Sequence, residues 1–115
     1  MAVVSSADAF LPLTHLLYAV LLSLAEAPDH PYGLVKRIRA RSDGRIDPGT
    51  GSFYSVLAQA ERQGLIRERT SSPESRRHVY ELAPLGRRVL AAEAERLAQQ
   101  LEATRAVLIP EKKRP

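Results

Sequence analysis

The spacing of apolar residues changes twice along this chain, and that change limits the fold more than any single figure. Up to Gly64 apolar side chains recur three and four apart, as on one face of a helix. Over Leu65–Thr70 and His78–Leu82 they alternate, as in a strand exposed on one side. From Leu90 onward the three- and four-residue spacing returns. Within 115 residues this leaves room for one core, built from three helices, a hairpin and a long last helix. The chain is too short for a barrel enzyme or a two-lobed dinucleotide enzyme.

Punctuation residues place the elements. Residues 1–12 read as a disordered lead ending at Pro12. Thr14 suits a helix cap, and a helix to about Glu26 carries Leu16, Leu17, Val20, Leu21 and Leu24 on one face. Pro28 interrupts it, and Pro31 fits the first turn of a second helix reaching about Ser42. That helix buries Leu34, Val35 and Ile38, with Tyr32 either beside them or outward; Asp43-Gly44 stops it. A third helix runs from Thr50 or Gly51 to Gln63, capped by Thr50 or Ser52, with Phe53, Val56, Leu57 and Ala60 inward and Gly64 closing it. Ser71–Arg77 is a polar hairpin tip. The last helix starts near Pro84 and reaches about Val107, with Leu90, Ala94, Leu97, Leu101, Thr104 and Leu108 forming a heptad-like seam.

The fold class is therefore mainly α with a small β-hairpin: a winged helix-turn-helix followed by a dimerisation helix. The expected divisions are a lead over 1–12, a winged domain over 13–83, a C-terminal helix over 84–108 and a basic tail over 109–115. In such a fold the third helix enters the major groove of DNA and the hairpin tip lies along the backbone or minor groove. The outward face of the third helix is small and polar: Gly51, Ser52, Tyr54, Ser55, Ala58, Gln59 and Arg62. Small residues permit close backbone approach, and helix N-terminal amides can hold a phosphate.

Charge points the same way. The chain has 17 Lys and Arg against 13 Asp and Glu, and twelve of the 17 lie in residues 61–115. Such a balance favours an anionic partner, although an Arg-rich solvated surface has the same composition. There is no cysteine, so disulfides and cysteine-ligated metals are excluded. His15, His30 and His78 lack metal-ligand spacing, Glu93 and Glu95 read as solvated, and no nucleophile elbow, Walker loop or dinucleotide fingerprint occurs. We expect no cofactor, no metal and no enzymatic activity. Leu16–Ala25 has the apolarity of a signal-peptide core, but no positive charge precedes it and it is too short to span a bilayer. A cytoplasmic protein without a membrane partner is expected.

Several stretches resemble the PadR family of winged-helix transcriptional regulators. They are LTHLLYAVLLSLAEAP, YGLVKRI, GRIDPGTGSFYSVLAQAERQGLI and RRHVYELAPLGRRVL, together covering residues 13 to about 101. The sharpest pieces are the run Gly51 to Leu57, Gly64-Leu65-Ile66, and Tyr80 to Gly86. The chain departs from the family pattern at Pro31, in place of Gly, at Ala60, in place of Leu, and at Gly51-Ser52-Phe53, in place of Gly-Thr-Leu. The single C-terminal helix is similar to that of the short-tailed members. The resemblance implies that Tyr54 faces DNA; its alternative is a helix-edge tyrosine with its hydroxyl in water.

Thr50, Ser52, Ser55 and Gln59 share the exposed side of the third helix, where Gln pairs with adenine and Ser with phosphate or base. Tyr32 and Lys36 are placed against backbone phosphates, Lys36 serving equally as a solvated lysine. Arg76, Arg77 and His78 at the wing suit phosphate or a narrow minor groove; a charged hairpin also resists edge aggregation. The resemblance further implies a homodimer in which helix 1, through Leu17, joins the last helix, through Leu90, Ala94, Leu97, Leu101 and Leu108. It also implies a small-molecule effector, of unidentified chemistry, that changes the separation of the two winged helices. The expected function is a dimeric repressor of double-stranded DNA at an inverted-repeat operator. The competing class is a winged helix that binds protein and no specific DNA.

Overall fold

The computed structural model describes residues 7–69 and 78–109, with the Thr50 side chain left aside. Four helices, α1 (His15–Glu26), α2 (Pro31–Arg41), α3 (Thr50–Arg62) and α4 (Pro84–Leu108), surround a two-stranded antiparallel sheet of β1 (Ile66–Glu68) and β2 (Tyr80–Leu82). The register pairs Ile66 with Leu82 and Glu68 with Tyr80. This is the winged helix-turn-helix order. β1 starts one residue later than the alternating pattern suggested and stops before Arg69, and β2 starts two residues later but ends at Leu82 as expected.

α1 lies at the centre and meets α2, α3, α4 and β2. Its apolar stripe is the reason: Ala19, Val20, Leu21 and Leu24 are buried. Leu34 and Ile38 of α2, Phe53, Leu57 and Ala60 of α3, Leu65, Ile66, and Val89 of α4 complete the core. Each large aliphatic or aromatic side chain taken fully out of water contributes about 1.5–3 kcal/mol. Tyr32 does not join this face; it stands outward, 65% exposed.

Local chemistry explains the helix ends. Thr14 Oγ1 accepts the Leu17 N–H at 3.2 Å, as the sequence suggested. α2 is capped by His30, whose Nδ1 accepts the Gly33 N–H at 3.2 Å, with Pro31 in the first turn. The cap of α3 differs from the expectation. Gly49 occupies the N-cap without a side-chain bond, Thr50 is already helical, and the Ser52 hydroxyl donates back to the Gly49 carbonyl at 3.5 Å. Gly64 has φ +79°, the left-handed conformation that lets the chain leave α3 for β1.

Two features had no signal in the sequence. Asp29 pairs with Tyr80 as a one-residue bridge: each N–H donates to the other's carbonyl, at 3.1 and 2.9 Å. The wing base is thereby hydrogen-bonded to the turn before α2. Arg37 closes the same corner. Its guanidinium donates to the Ser23 carbonyl at 2.5 Å, to the Ala27 carbonyl at 3.3 Å and to the carboxylates of Asp29 and Glu26. It thus satisfies the Ala27 carbonyl just past α1 and adds a second donor to the Ser23 carbonyl, which already accepts the Ala27 N–H.

The stretch 7–12, expected as lead, carries a 3-10 turn at Asp8–Phe10, with Ala7 buried and Phe10 and Leu11 against the core. The adjoining Leu13 N–H donates to Glu93 Oε2 at 2.6 Å. Glu93 is the clearest reversal. Expected in solvent, it is 1% exposed, and it also accepts a hydrogen bond from Arg96 Nε. That bond, first, and the Leu13 amide hold its carboxyl below the usual range, against the effect of burial. Gly86 fits the same packing: a Cβ there would stand 2.0 Å from the Leu65 carbonyl oxygen.

Candidate nucleic-acid interface

α3 turns Phe53, Leu57 and Ala60 inward, so the residues between them must face out. Ser52, Tyr54, Ser55 and Gln59 are all exposed. Tyr54 is 54% exposed, with its ring edge-on to Phe53 at a centroid distance of 5.8 Å. The buried Phe53 therefore sets where the Tyr54 ring stands. Gly51, beside it, has open space around its Cα: an added Cβ would meet nothing within 4 Å.

Three expected residues come together in one cleft. Tyr32, Tyr54 and His78, with His30, Pro31 and Tyr80, line a hollow of about 350 Å³ between α2, α3 and the wing. Lys36 lies one turn along α2, its Nζ 4.9 Å from the Tyr32 ring centre in a cation–π contact. The hollow's far wall was missed from sequence: Tyr80 reads as a strand residue, and only its bridge to Asp29 brings it beside α2. Burial, then the carboxylates of Glu61 and Glu68, raises the Tyr80 phenol above its ordinary value, so it stays a neutral donor.

His78 is exposed and bonded to Glu68 across the base of the wing. That bond, and then the Glu68 charge, raises its imidazole pKa above 6.5. The charge it brings is therefore partly cancelled where it sits. Arg76 and Arg77 lie outside the described residues, as does the Thr50 side chain.

The expected dimer residues divide. α4 presents Gly86, Val89 and Glu93 to the core, one position round from the leucine seam. Leu17 and Leu90 are half-buried against the chain's own core. Ala94, Leu97, Leu101 and Leu108 face outward, Leu101 at 50% and Leu108 at 72% exposure.

Residues 20–92, more than half of the chain, match the family described as "Transcriptional regulator PadR-like family". The chain belongs to this family. It is a regulator of transcription and not an enzyme. No curated protein sequence matches it. Among solved structures it is similar to a transcriptional regulator from Clostridium thermocellum, Cth-833, at 22% identity and TM-score 0.71, over 92% of this chain and 99% of that one. A PadR family transcription regulator from hypervirulent Clostridium difficile R20291 aligns at 18% identity and TM-score 0.70, over 83% of this chain and 99% of that one. The PcaV transcriptional regulator from Streptomyces coelicolor, in complex with its natural ligand, aligns at 23% identity and TM-score 0.66, over 87% of this chain and 66% of that one. At these identities the likeness is one of fold. Among the described residues no helix of this PadR-family chain is long and apolar enough to cross a membrane, and no group of three His, Cys, Asp or Glu is placed to hold a metal.

Proposed function

We propose that this PadR-family chain is a homodimeric, sequence-specific repressor that reads an inverted repeat in double-stranded DNA and responds to a small molecule. The observation that carries the reading is the exposed face of α3, where Ser52, Tyr54, Ser55 and Gln59 stand clear of the core beside the open Cα of Gly51. Gln59 and Ser55 have the donors and acceptors that base edges need; Ser52, Tyr54 and Thr50, at the helix N-terminus, take phosphates or bases. Tyr32 and Lys36 from α2, and Arg76, Arg77 and His78 from the wing, hold the backbone on either side.

Affinity calls for two copies. Non-specific binding lies near ~10⁻⁴–10⁻⁶ M at physiological salt, and a specific regulator needs roughly 10³-fold or more beyond it. Each base-reading pair supplies ~1–3 kcal/mol of discrimination, and one α3 offers few. A two-fold axis doubles the readout when half-sites lie about 34–36 Å apart. α4 supports that arrangement: past Arg96 all its described side chains are exposed, and Leu97, Leu101 and Leu108 form an apolar stripe that a second copy would cover, with Leu17, Leu90 and Ala94 at its root.

The test is fluorescence anisotropy on DNA from upstream of the gene and on a shuffled fragment, at two salt concentrations. Tighter saturable binding to the native fragment is expected, weakening by ~0.9 log unit per neutralised phosphate per log unit of salt. Tyr54→Phe should weaken it with the melting temperature unchanged. Equal binding to both fragments would reduce the chain to a non-specific binder, and binding to neither would favour a protein-interaction module.

A further inference from the structure

The cleft between α2, α3 and the wing holds more aromatic surface than a duplex can use. Tyr32, Tyr54 and Tyr80 line it, three of the four tyrosines in the chain, with His30 and His78, two of its three histidines. Phe, Trp and Tyr make up only 5% of the sequence, so this is a concentration and not average surface. In a duplex the flat faces of the bases are covered by their neighbours, and the grooves offer edges and phosphates. A phosphate takes the phenol hydroxyl and leaves the ring idle. An unpaired base takes the ring, because every base has a π-face.

The charges around the cleft give it a direction. Tyr32 and His30 also line a neighbouring hollow, which Lys36 lines and the cleft does not share with it. Tyr32 therefore stands as a partition, with the Lys36 ammonium over its ring on one side and the cleft on the other. At the opposite end Tyr80 lies near the carboxylates of Glu61 and Glu68, and Glu68 is bonded to His78. Asp29 is engaged by Arg37 and by the His30 amide. Lys36 thus marks the α2 end for a phosphate, while the cleft itself suits a flat polar ring. His30 adds a donor there. Its Nδ1 accepts the Gly33 N–H, so the neutral ring carries its proton on Nε2, and Asp29 Oδ1 stands 3.6 Å from that atom, beyond hydrogen-bond reach. The volume of about 350 Å³ is at the low end for ligand sites, ~300 Å³ upward, which is room for one base and its sugar.

We infer that this cleft binds one unpaired nucleotide, its base stacked on the tyrosine rings and its phosphate at Lys36. A free nucleoside monophosphate and one residue of a single strand present the same chemistry to it. The inference rests on the nucleic-acid reading of this face but not on an operator. Tyr32, Lys36 and Tyr54 are also the residues proposed to hold a duplex, so a bound nucleotide and a duplex exclude each other.

The test uses the full chain and no duplex, so the two readings fail separately. Thymidine monophosphate, thymidine, deoxyribose phosphate and a short oligo-dT are titrated against the tyrosine ring resonances. The rings of Tyr32, Tyr54 and Tyr80 should shift and saturate at one thymidine monophosphate per chain. Tyr18, on α1 and outside the cleft, should stay still, and deoxyribose phosphate, which has no base, should move none of them. Tighter binding of oligo-dT would assign the site to a strand, and equal binding to the free nucleotide. Tyr32→Leu should weaken binding by about five- to a hundredfold, the worth of one base on one ring, and Tyr32→Phe should retain it. Tyr32 is exposed, so both variants should melt as wild type does. Lys36→Gln should weaken thymidine monophosphate and spare thymidine. Unmoved rings in the wild-type chain, equal shifts with deoxyribose phosphate, undiminished binding in Tyr32→Leu, or a loss in Tyr32→Phe as large as in Tyr32→Leu would each overturn the inference.

Discussion

Gly51→Ala separates stability from DNA binding within one methyl group. Gly51 is in the first turn of α3, its φ is not left-handed, and an added Cβ would meet nothing within 4 Å. Alanine exceeds glycine in a helix by about 0.8–1.0 kcal/mol in the interior, and the first turn realises less of it. A gain of about 0.5 kcal/mol raises the melting temperature of a chain this size by roughly 2–4 °C. The same methyl projects from the side of α3 proposed to meet DNA, where close backbone approach is the use of a small residue. The variant should therefore melt higher and bind the operator more weakly, by severalfold. Thermal unfolding at one fixed protein concentration and anisotropy on the operator measure the two effects. Gly86→Ala is the control of opposite sign. There the Cβ would lie 2.0 Å from a backbone oxygen, Leu65 O, so the helix gain is overwhelmed by overpacking of typically 1–3 kcal/mol. A Gly51→Ala protein that melts lower would refute the open-space argument; one that binds as tightly as wild type would refute the close approach.

Leu97→Glu, on the outward seam of α4, should reduce the mass in light scattering to that of one chain while far-UV circular dichroism is retained; an unchanged mass would remove the seam from the interface. Glu93→Gln should destabilise the chain at neutral pH, because the amide cannot accept from both Leu13 and Arg96. The folded pKa of Glu93 is lowered from 4.5, so its stabilisation is present above that value and lost as pH falls through the lowered one. Urea unfolding of wild type and Glu93→Gln should therefore converge in acid; a constant difference would show that Glu93 acts only through packing.

The helices and their inward faces were legible because burial on one side writes a period into the sequence. Val20, Leu21, Leu24, Leu34, Ile38, Phe53, Leu57 and Ala60 all carry it and all are buried. Contacts that rest on a single residue leave no period. Asp29 and Tyr80 bridge across 51 positions through backbone atoms alone, so their side-chain types say nothing about it. Glu93 failed for a related reason. A glutamate on a charged helix reads as solvated, and its partners are a backbone amide 80 residues away and an arginine that pairs as well in water. The face of α3 was legible by subtraction, since what is not inward must be outward. The cleft joining Tyr32, Tyr54 and His78 was not, because it depends on how the wing is hung.

The Asp29–Tyr80 bridge gives that hanging a mechanical meaning. The wing and the corner between α1 and α2 are two arms, and the bridge, braced by Arg37, is the rivet that joins them. The wing is thereby tied to the turn before α2 within the chain itself. Under the proposed DNA-binding function, a bridged chain would be a caliper of one setting, selecting a groove by its width as well as by its bases.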